Sequence, residues 1–567
     1  MRLLPTLCVL CSLAAPGLAV DRDAFTFTNY DLNLRIEPEQ QRLAVRGKIV
    51  LRNDSRIPQK NLALQISSTL GWRSIKVGGN SIDFTSHEYA SDIDHTGALS
   101  EAVLTLPQAV PPQATVELEV GYEGTVGVDA TRLTRIGVPK EKAEHSDWDR
   151  ISKSFTAIRG IGYVAWYPVA VESANLSEGN SVFEAVARWK ERTQESGMTI
   201  HVEYWQGDSE VSSSVVCNDW ASGVTTKGDN VADCRFSPLA RTVPVVAAAP
   251  YATQTQASTT VYYLAEHKAA AESYLLAAEL AGAVVTDWFG PVRRQPRVAE
   301  LPDPDDAAFD SGGMLLAPLR SGDSRAYALD AVYQLANAAF NSPRPWIEEG
   351  LAHFAQAVAR QQEGGRQAAL DFLGMQRAAI AAAEQSGEEE QKDEEARESL
   401  INTGREEFYR SKAMYAWWML YDMIGENALK KAVAAYQPEQ DKQPAYVQHL
   451  VEAQSKRDLE WFFDDWVYRD RKLPDFRIES AYPRATVNGG YVVTITVENL
   501  GSAGAEVPVI VRMEGGDTVK RVEVRAHAKS VTRIEAASTP KEVVVNDGSV
   551  PESDMTNNSL KIEIPSK

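Results

Sequence analysis

From Asn29 to Val126, hydrophobic and polar residues alternate with a period of two; Tyr30 to Ile36 and Ala114 to Val120 are clear stretches of it. Successive strand side chains point to opposite faces. Such alternation, broken by Gly, Pro and Asn, therefore predicts an antiparallel β domain with one wet face. Strand-like segments continue through Gly160 to Val169 and Met198 to Tyr204, and the β region is expected to end near Gln256. The period then changes. Leu264 to Phe289 is Ala- and Leu-rich with helical spacing. Short apolar pieces between Arg297 and Pro318 read as strands around Asp, Pro and Gly. A helix is expected from about Ser324 to Phe340, stopped by Pro343 and Pro345, and another from Trp346 to about Gln361. Leu351, Phe354, Ala355 and Val358 give the second an i, i+3, i+4, i+7 face. Further helices are expected over Arg366 to Ala383, Arg405 to Ile424, Ala428 to Tyr436 and Leu459 to Tyr468. The charged run Glu384 to Arg397 reads as a solvated helix end or loop. After Pro474 the two-residue alternation returns, with strands at Tyr491 to Val497 and Val507 to Met513 around a turn at Asn499 to Gly504. That pattern predicts a small Ig-like β-sandwich.

The expected order is thus a β domain over 20–256, a helical domain over 257–473 and a β-sandwich over 474–567, a multidomain α+β chain without internal repeats. The first 19 residues read as a secretory signal peptide. Arg2 supplies the charge, Leu3 to Ala15 the apolar stretch, and Gly17, Leu18 and Ala19 the small cleavage region. Cys11 is a poor lipid acceptor because the bulky Leu10 precedes it. No later segment reads as approaching the roughly 20 apolar residues of a membrane span. The mature chain is therefore expected to be secreted or periplasmic.

Net charge is −20 and the pI about 5.0, which disfavours nucleic acid or an anionic membrane surface as partner. With Cys8 and Cys11 in the signal, Cys217 and Cys234 remain, and an exported even pair favours a disulfide.

The helical segment carries further detail. It contains Tyr333-Gln334-Leu335-Ala336-Asn337, then Trp346-Ile347-Glu348-Glu349-Gly350-Leu351-Ala352-His353-Phe354. Gly162 to Pro168 holds Trp166-Tyr167-Pro168, and Ser311-Gly312-Gly313-Met314-Leu315-Leu316 precedes the helices. Tyr409 to Met414 and Trp461 to Trp466 follow them. In this order the segments resemble the zinc aminopeptidases of peptidase family M1, the gluzincins, over most of the mature chain. The resemblance implies a thermolysin-like helical domain. It places Tyr333 and Asn337 where the two zinc histidines of an H-E-x-x-H motif would stand, Gln334 at the general base and Glu349 at the third ligand. Gly312, Gly313 and Met314 fall on the edge strand that grips the substrate's amino end, and Tyr409 on the catalytic tyrosine, with Phe408 and Tyr415 as competing registers.

Chemistry then separates this chain from the family. Two imidazoles at i and i+4 reach one zinc, the Glu between them deprotonates the bound water, and a catalytic zinc needs three protein ligands. A phenol is a poor ligand at neutral pH, an amide oxygen suits harder ions, and the Gln334 carboxamide accepts no proton. Leu315 stands where the family's amine-binding Glu would be, and the eleven residues between Asn337 and Glu349 are fewer than the family has. None of the eight histidines has another four residues away. Glu349 reads either as an orphan ligand or as a first-turn Glu favoured by the helix dipole, with His353 four residues on. The expected function is a secreted pseudo-peptidase that has lost zinc chemistry and binds peptide or protein. Two alternatives stand beside it: an active metallo-aminopeptidase with unusual ligands, and an envelope or extracellular interaction protein acting through its β-sandwich. No cofactor is expected, and zinc only in the active alternative.

Overall fold

A computed structural model describes residues 20–178, 181–206, 213–218, 229–386, 398–469, 471–487 and 489–563. The expected signal peptide and most of the charged run before Arg397 lie outside the described residues.

The alternating N-terminal third folds into sheets whose inward residues form one core, with Leu32, Leu34, Ile36, Val45, Ile49, Leu51 and Leu118 all buried. Its seven-stranded sheet runs in the order Asp229–Phe236, Gly197–Trp205, Phe25–Glu37, Arg42–Asn53, Thr115–Thr125, Leu70–Val77, Asn80–Ser81. The sheet is not wholly antiparallel. Gly197–Trp205 pairs parallel to Phe25–Glu37, Asn29 opposite Gly197 and Ile36 opposite Tyr204. A parallel pair needs a crossover connection, and that crossover contains a helix, Ser181–Thr193. Sequence alternation does not reveal this helix, although Val182, Ala185 and Trp189 bury one face of it. Gly160 to Val169 is a second correction. It is a buried, largely irregular segment, joined to the strand Gln59–Ser67 by the pairing of Val169 with Gln65 and by Ser67 N, which donates to the Ala165 carbonyl at 2.7 Å. Trp166 and Tyr167 are buried there, and Tyr122 and Tyr30 donate hydrogen bonds to the carbonyls of Trp166 (3.0 Å) and Pro168 (3.1 Å).

Cys217 and Cys234 form a disulfide. It joins Ser214–Cys217, in a four-stranded sheet, to Asp229–Phe236 at the edge of the seven-stranded one.

A five-stranded mixed sheet follows, ordered Ala252–Gln256, Thr259–Tyr263, Arg297–Glu300, Met314–Ala317, Phe309–Ser311. The boundary expected near Gln256 falls in the turn of its first hairpin. Against it packs the helix Lys268–Phe289, extended at its start by a 3-10 turn, Ala265–His267. This stretch of 25 residues, with mean hydropathy 1.2 in its most apolar window, is long and apolar enough for a span by those criteria alone, contrary to the reading from sequence. Tyr274, Leu275, Val285 and Trp288 are nonetheless buried in the protein core, while Leu276 and Leu280 face outward.

Next come the helices Ala328–Ala339 and Pro345–Gly374. The second is interrupted at Gly365, whose φ of 76° a residue with a Cβ adopts only under strain. The break falls in the gap expected between Gln361 and Arg366, while the helix expected over Arg366 to Ala383 is divided between the end of this element and Arg377–Ser386. Ala413–Ile424, Glu426–Ala435, Tyr446–Ser455 and Glu460–Phe463 complete the helical part. The C-terminal strands form sheets of three and four strands. Val493, Ile495 and Val497 from one, and Val507, Val509 and Val511 from the other, join the same core as the helices.

Candidate functional site

The Ala328–Ala339 and Pro345–Gly374 helices are joined by a short Pro-containing turn, so they pack as an antiparallel hairpin. Ala331, Val332, Leu335 and Ala339 on one, and Leu351, Phe354, Ala355 and Val358 on the other, are buried in the shared core. Burying those faces turns Tyr333 towards Glu349. The Tyr333 hydroxyl donates to Glu349 Oε2 at 2.7 Å. Arg410 Nε donates to the same oxygen at 3.0 Å. Arg410 lies in a π-helical turn, Glu407–Lys412, that leads into Ala413–Ile424. Glu349 and Arg410 keep side-chain exposures of 22% and 34%, so solvent screens the pair in part.

Protonation follows from this geometry. Burial, reinforced by the Glu349 charge, raises the Tyr333 phenol well above its ordinary value, so the phenol stays protonated and donates. Burial raises Glu349, but Arg410, His353 and Tyr333 outweigh it and hold the carboxyl below the usual range. Burial lowers Arg410 and Glu349 raises it, with a net rise. The cluster is thus an ionised carboxylate held by a guanidinium and a phenol.

His353 stands beside it, its ring centroid 5.1 Å from that of Tyr333. Gln356 Nε2 donates to the Leu329 carbonyl at 3.0 Å, so its Oε1 faces His353 Nδ1, 2.8 Å away, as an acceptor. That makes Nδ1 a donor and leaves the buried Nε2 with no hydrogen-bond partner. Asn337 makes no hydrogen bond to Tyr333 or Glu349, and its buried Oδ1 has no partner. Gln334 is fully buried. Its Oε1 accepts from Tyr274 Oη at 2.8 Å and its Nε2 donates to the Arg297 carbonyl, so both ends of the amide tie the helix to its neighbours. Tyr409 packs beside Arg410, whose guanidinium lies 5.7 Å from its ring centroid, and burial raises its phenol. Phe408 is buried in the core, and Tyr415 is buried where Arg377 is the charge that acts on it.

Gly312, Gly313 and Met314 are placed differently from expectation. Met314–Ala317 is hydrogen-bonded on both sides, by Arg297–Glu300 and by Phe309–Ser311, so it is an internal strand and offers no open edge to a substrate. Gly312 and Gly313 form the hairpin turn, with φ of 61° and 80°. A Cβ at Gly312 would lie 2.6 Å from Thr242 Cγ2. Met314 is buried in a separate core with Leu316, while Leu315 joins the core of the helices. The edge strand is Phe309–Ser311, and it carries Asp310. Burial, with Glu349 adding, pushes Asp310 up to about 8, and its Oδ2 is buried without a hydrogen-bond partner. Glu348 is pushed up to about 7, first by burial.

Across the cleft the Ser181–Thr193 helix and the loop 237–242 bring Lys190 and Arg241 into the field of Glu349. Sequence patterning does not single out Asp310, Lys190, Arg241 or Arg410. They come from four separate segments with no shared spacing. Among the described residues, the group able to present three metal-ligand atoms together is His145, Asp303 and Asp305, away from this helix pair. Asp306 already engages that histidine at 2.9 Å.

No family model and no curated protein matches the sequence. Among the solved structures similar to this chain are those of an M1 zinc metallopeptidase from Deinococcus radiodurans. That enzyme is 16% identical, with a TM-score of 0.49, over 80% of this chain and 95% of its own. A point mutant of it, and the same mutant bound to a Tyr-Ser-Ala substrate, are each 15% identical with a TM-score of 0.48, over 80% of this chain and 96% of theirs.

Proposed function

We propose that this chain is an exported M1-peptidase-like protein that has lost zinc-dependent hydrolysis and binds peptide in the cleft beside Glu349. The observation that carries the reading is the Tyr333–Glu349–Arg410 cluster. A catalytic zinc needs three protein ligands at one point and an open position for water. Here the carboxylate at the third-ligand position is engaged by a guanidinium and a phenol. A dication would have to displace Arg410 or sit beside it, against Coulomb repulsion. The raised Tyr333 phenol does not ionise to become a ligand, and Asn337 makes no bond to Glu349. Gln334, in the base position, is committed to Tyr274 and to the Arg297 carbonyl. These residues do not fit zinc. Arg410 supplies the positive charge that a metal would otherwise bring to Glu349.

The test is metal analysis of the purified full chain together with hydrolysis of aminoacyl reporter substrates. The expected result is substoichiometric zinc and no chelator-sensitive turnover. Stoichiometric zinc with hydrolysis abolished by chelators would establish the active metallo-aminopeptidase instead.

A further inference from the structure

Several of the cations around this site are paired with acids. Glu349 is taken by Arg410. Arg344, at the start of the long helix, is taken by Asp441 at 2.7 Å. Arg188 on the Ser181–Thr193 helix lies 3.9 Å from Glu184. Lys190 and Arg241 have no hydrogen bond and no acid within 4.0 Å among the described residues, although both are partly covered. Glu191 and Glu348 attract Arg241 from farther off, and Arg241 itself repels Lys190. Burial first, and Arg241 second, push the Lys190 ammonium down to about 8.

The two cations are held together by the backbone. Leu239 N donates to the Ser196 carbonyl and Ala240 N to the Gln194 carbonyl, each at 2.8 Å, pinning the Arg241 loop to the end of the helix that carries Lys190. Arg241 lines a cavity of about 300 Å³ whose other walls include Ala187, Pro343, Pro345 and Gly404 and three acids, of which Glu184 and Glu398 are engaged by Arg188 and Arg405 and Glu191 faces Arg241 from beyond ion-pair distance. Gly404 closes one side, because a Cβ there would lie 3.4 Å from Ala187 Cβ and 3.3 Å from Glu184 Cα. Pro343 and Pro345 place the N-terminal end of the Pro345–Gly374 helix at the cavity. Clefts between domains are common ligand sites.

We infer that Arg241 and Lys190 form a carboxylate-binding subsite, which takes the C-terminal carboxylate or an acidic side chain of the peptide bound in the cleft. This rests on the peptide-binding reading above, and it names the chemistry that selects the peptide. A guanidinium offers a planar pair of donors to a carboxylate, and the lysine adds a point charge beside it.

The test is calorimetric titration of the full chain with four probes: succinate, trialanine, trialanine amide, and acetyl-Ala-Glu-Ala amide. Each is repeated on Arg241→Gln and Lys190→Gln, with thermal melts to confirm folding. Succinate and trialanine should bind, and each variant should weaken both at least tenfold with an unchanged melt. A tenfold loss for trialanine amide assigns the C-terminal carboxylate, whereas retained binding of the Glu-containing amide assigns an acidic side chain. Variant-sensitive succinate binding without any peptide binding would keep the subsite and refute the peptide reading. Peptide binding indifferent to both substitutions would refute the subsite and keep that reading. Failure of every carboxylate probe to bind the native chain overturns the subsite.

Discussion

At the scale of single residues, the site is governed by what surrounds Glu349. A carboxylate in this partly buried place must have a positive partner or give up its charge, because an unpaired buried charge costs several kcal/mol. Arg410 and Tyr333 together meet that need. Arg410→Met should therefore destabilise the chain by about 1–3 kcal/mol, less than for a fully buried pair because both side chains keep some exposure. Adding Glu349→Gln should recover much of the loss, and denaturant melts of the single and double variants measure both. Asp310 and Glu348 act in the opposite sense. Their folded-state values, pushed up to about 8 and about 7, exceed their ordinary 3.8 and 4.5. Between those limits the folded chain holds protons that the unfolded chain releases, so stability falls as pH rises. The contribution is complete below the ordinary values and lost by about pH 8. Melting temperature should thus decline from pH 5 to pH 8, and Asp310→Asn should flatten the decline. An Asp310→Asn profile parallel to the native one would show that this carboxyl is not the source. Glu349 was legible in the sequence as a candidate residue. Its partner Arg410 was not, because 61 residues separate the two and only folding brings them together.

At the scale of elements, helix contact decides the geometry. Gly350 sits where the Pro345–Gly374 helix meets Ala413–Ile424, and a Cβ there would lie 2.8 Å from Ala413 Cβ and 3.0 Å from Trp417 Cδ1. Trp346 and Trp417 stack beside this contact with centroids 5.3 Å apart, and Trp417 Nε1 donates to the Trp346 carbonyl at 3.2 Å. Gly350→Ala should force the helices apart and cost about 1–3 kcal/mol, read as a lower melting temperature. The disulfide works between sheets. Replacing Cys217 and Cys234 by Ala frees a loop with a sequence separation of 17 and should cost about 3 kcal/mol. Helical spacing disclosed the long elements because each buries one face. It missed Ser181–Thr193, which lies amid strand-like sequence, while the break at Gly365 falls between the helix expected to end near Gln361 and the one expected to begin at Arg366.

At the scale of the molecule, the helical part and the C-terminal sheets share a core and an ion network. Arg366 pairs with Asp422 at 2.7 Å and with Asp547 at 3.0 Å, and Arg521 reaches Asp422 at 3.0 Å. Trp466 Nε1 donates to the Gly504 carbonyl at 2.7 Å. The C-terminal sheets are thus built into the protein and do not hang from it as a separate module. The same integration limits what a local repair can do. Tyr333→His, Gln334→Glu and Asn337→His together should not give aminopeptidase turnover. A Glu at position 334 would meet the Arg297 carbonyl in a fully buried place, and Arg410 would still hold Glu349. Robust hydrolysis of aminoacyl reporters by that triple variant would overturn this.

Periodicity by itself determined where most of the long strands and helices lie, since burial of one face imposes a period of two or of 3.6 on an element. Residue identity determined that positions 333, 334 and 337 lack imidazole and carboxylate. Only the tertiary structure decided what took their place. The helix hairpin brought Tyr333 to Glu349, a π-helical turn brought Arg410, an added strand pairing made Met314–Ala317 internal, and a crossover helix set Lys190 beside Arg241. Each is a contact between segments distant in sequence. Its partner is selected by packing and charge balance across the fold, which no local pattern records.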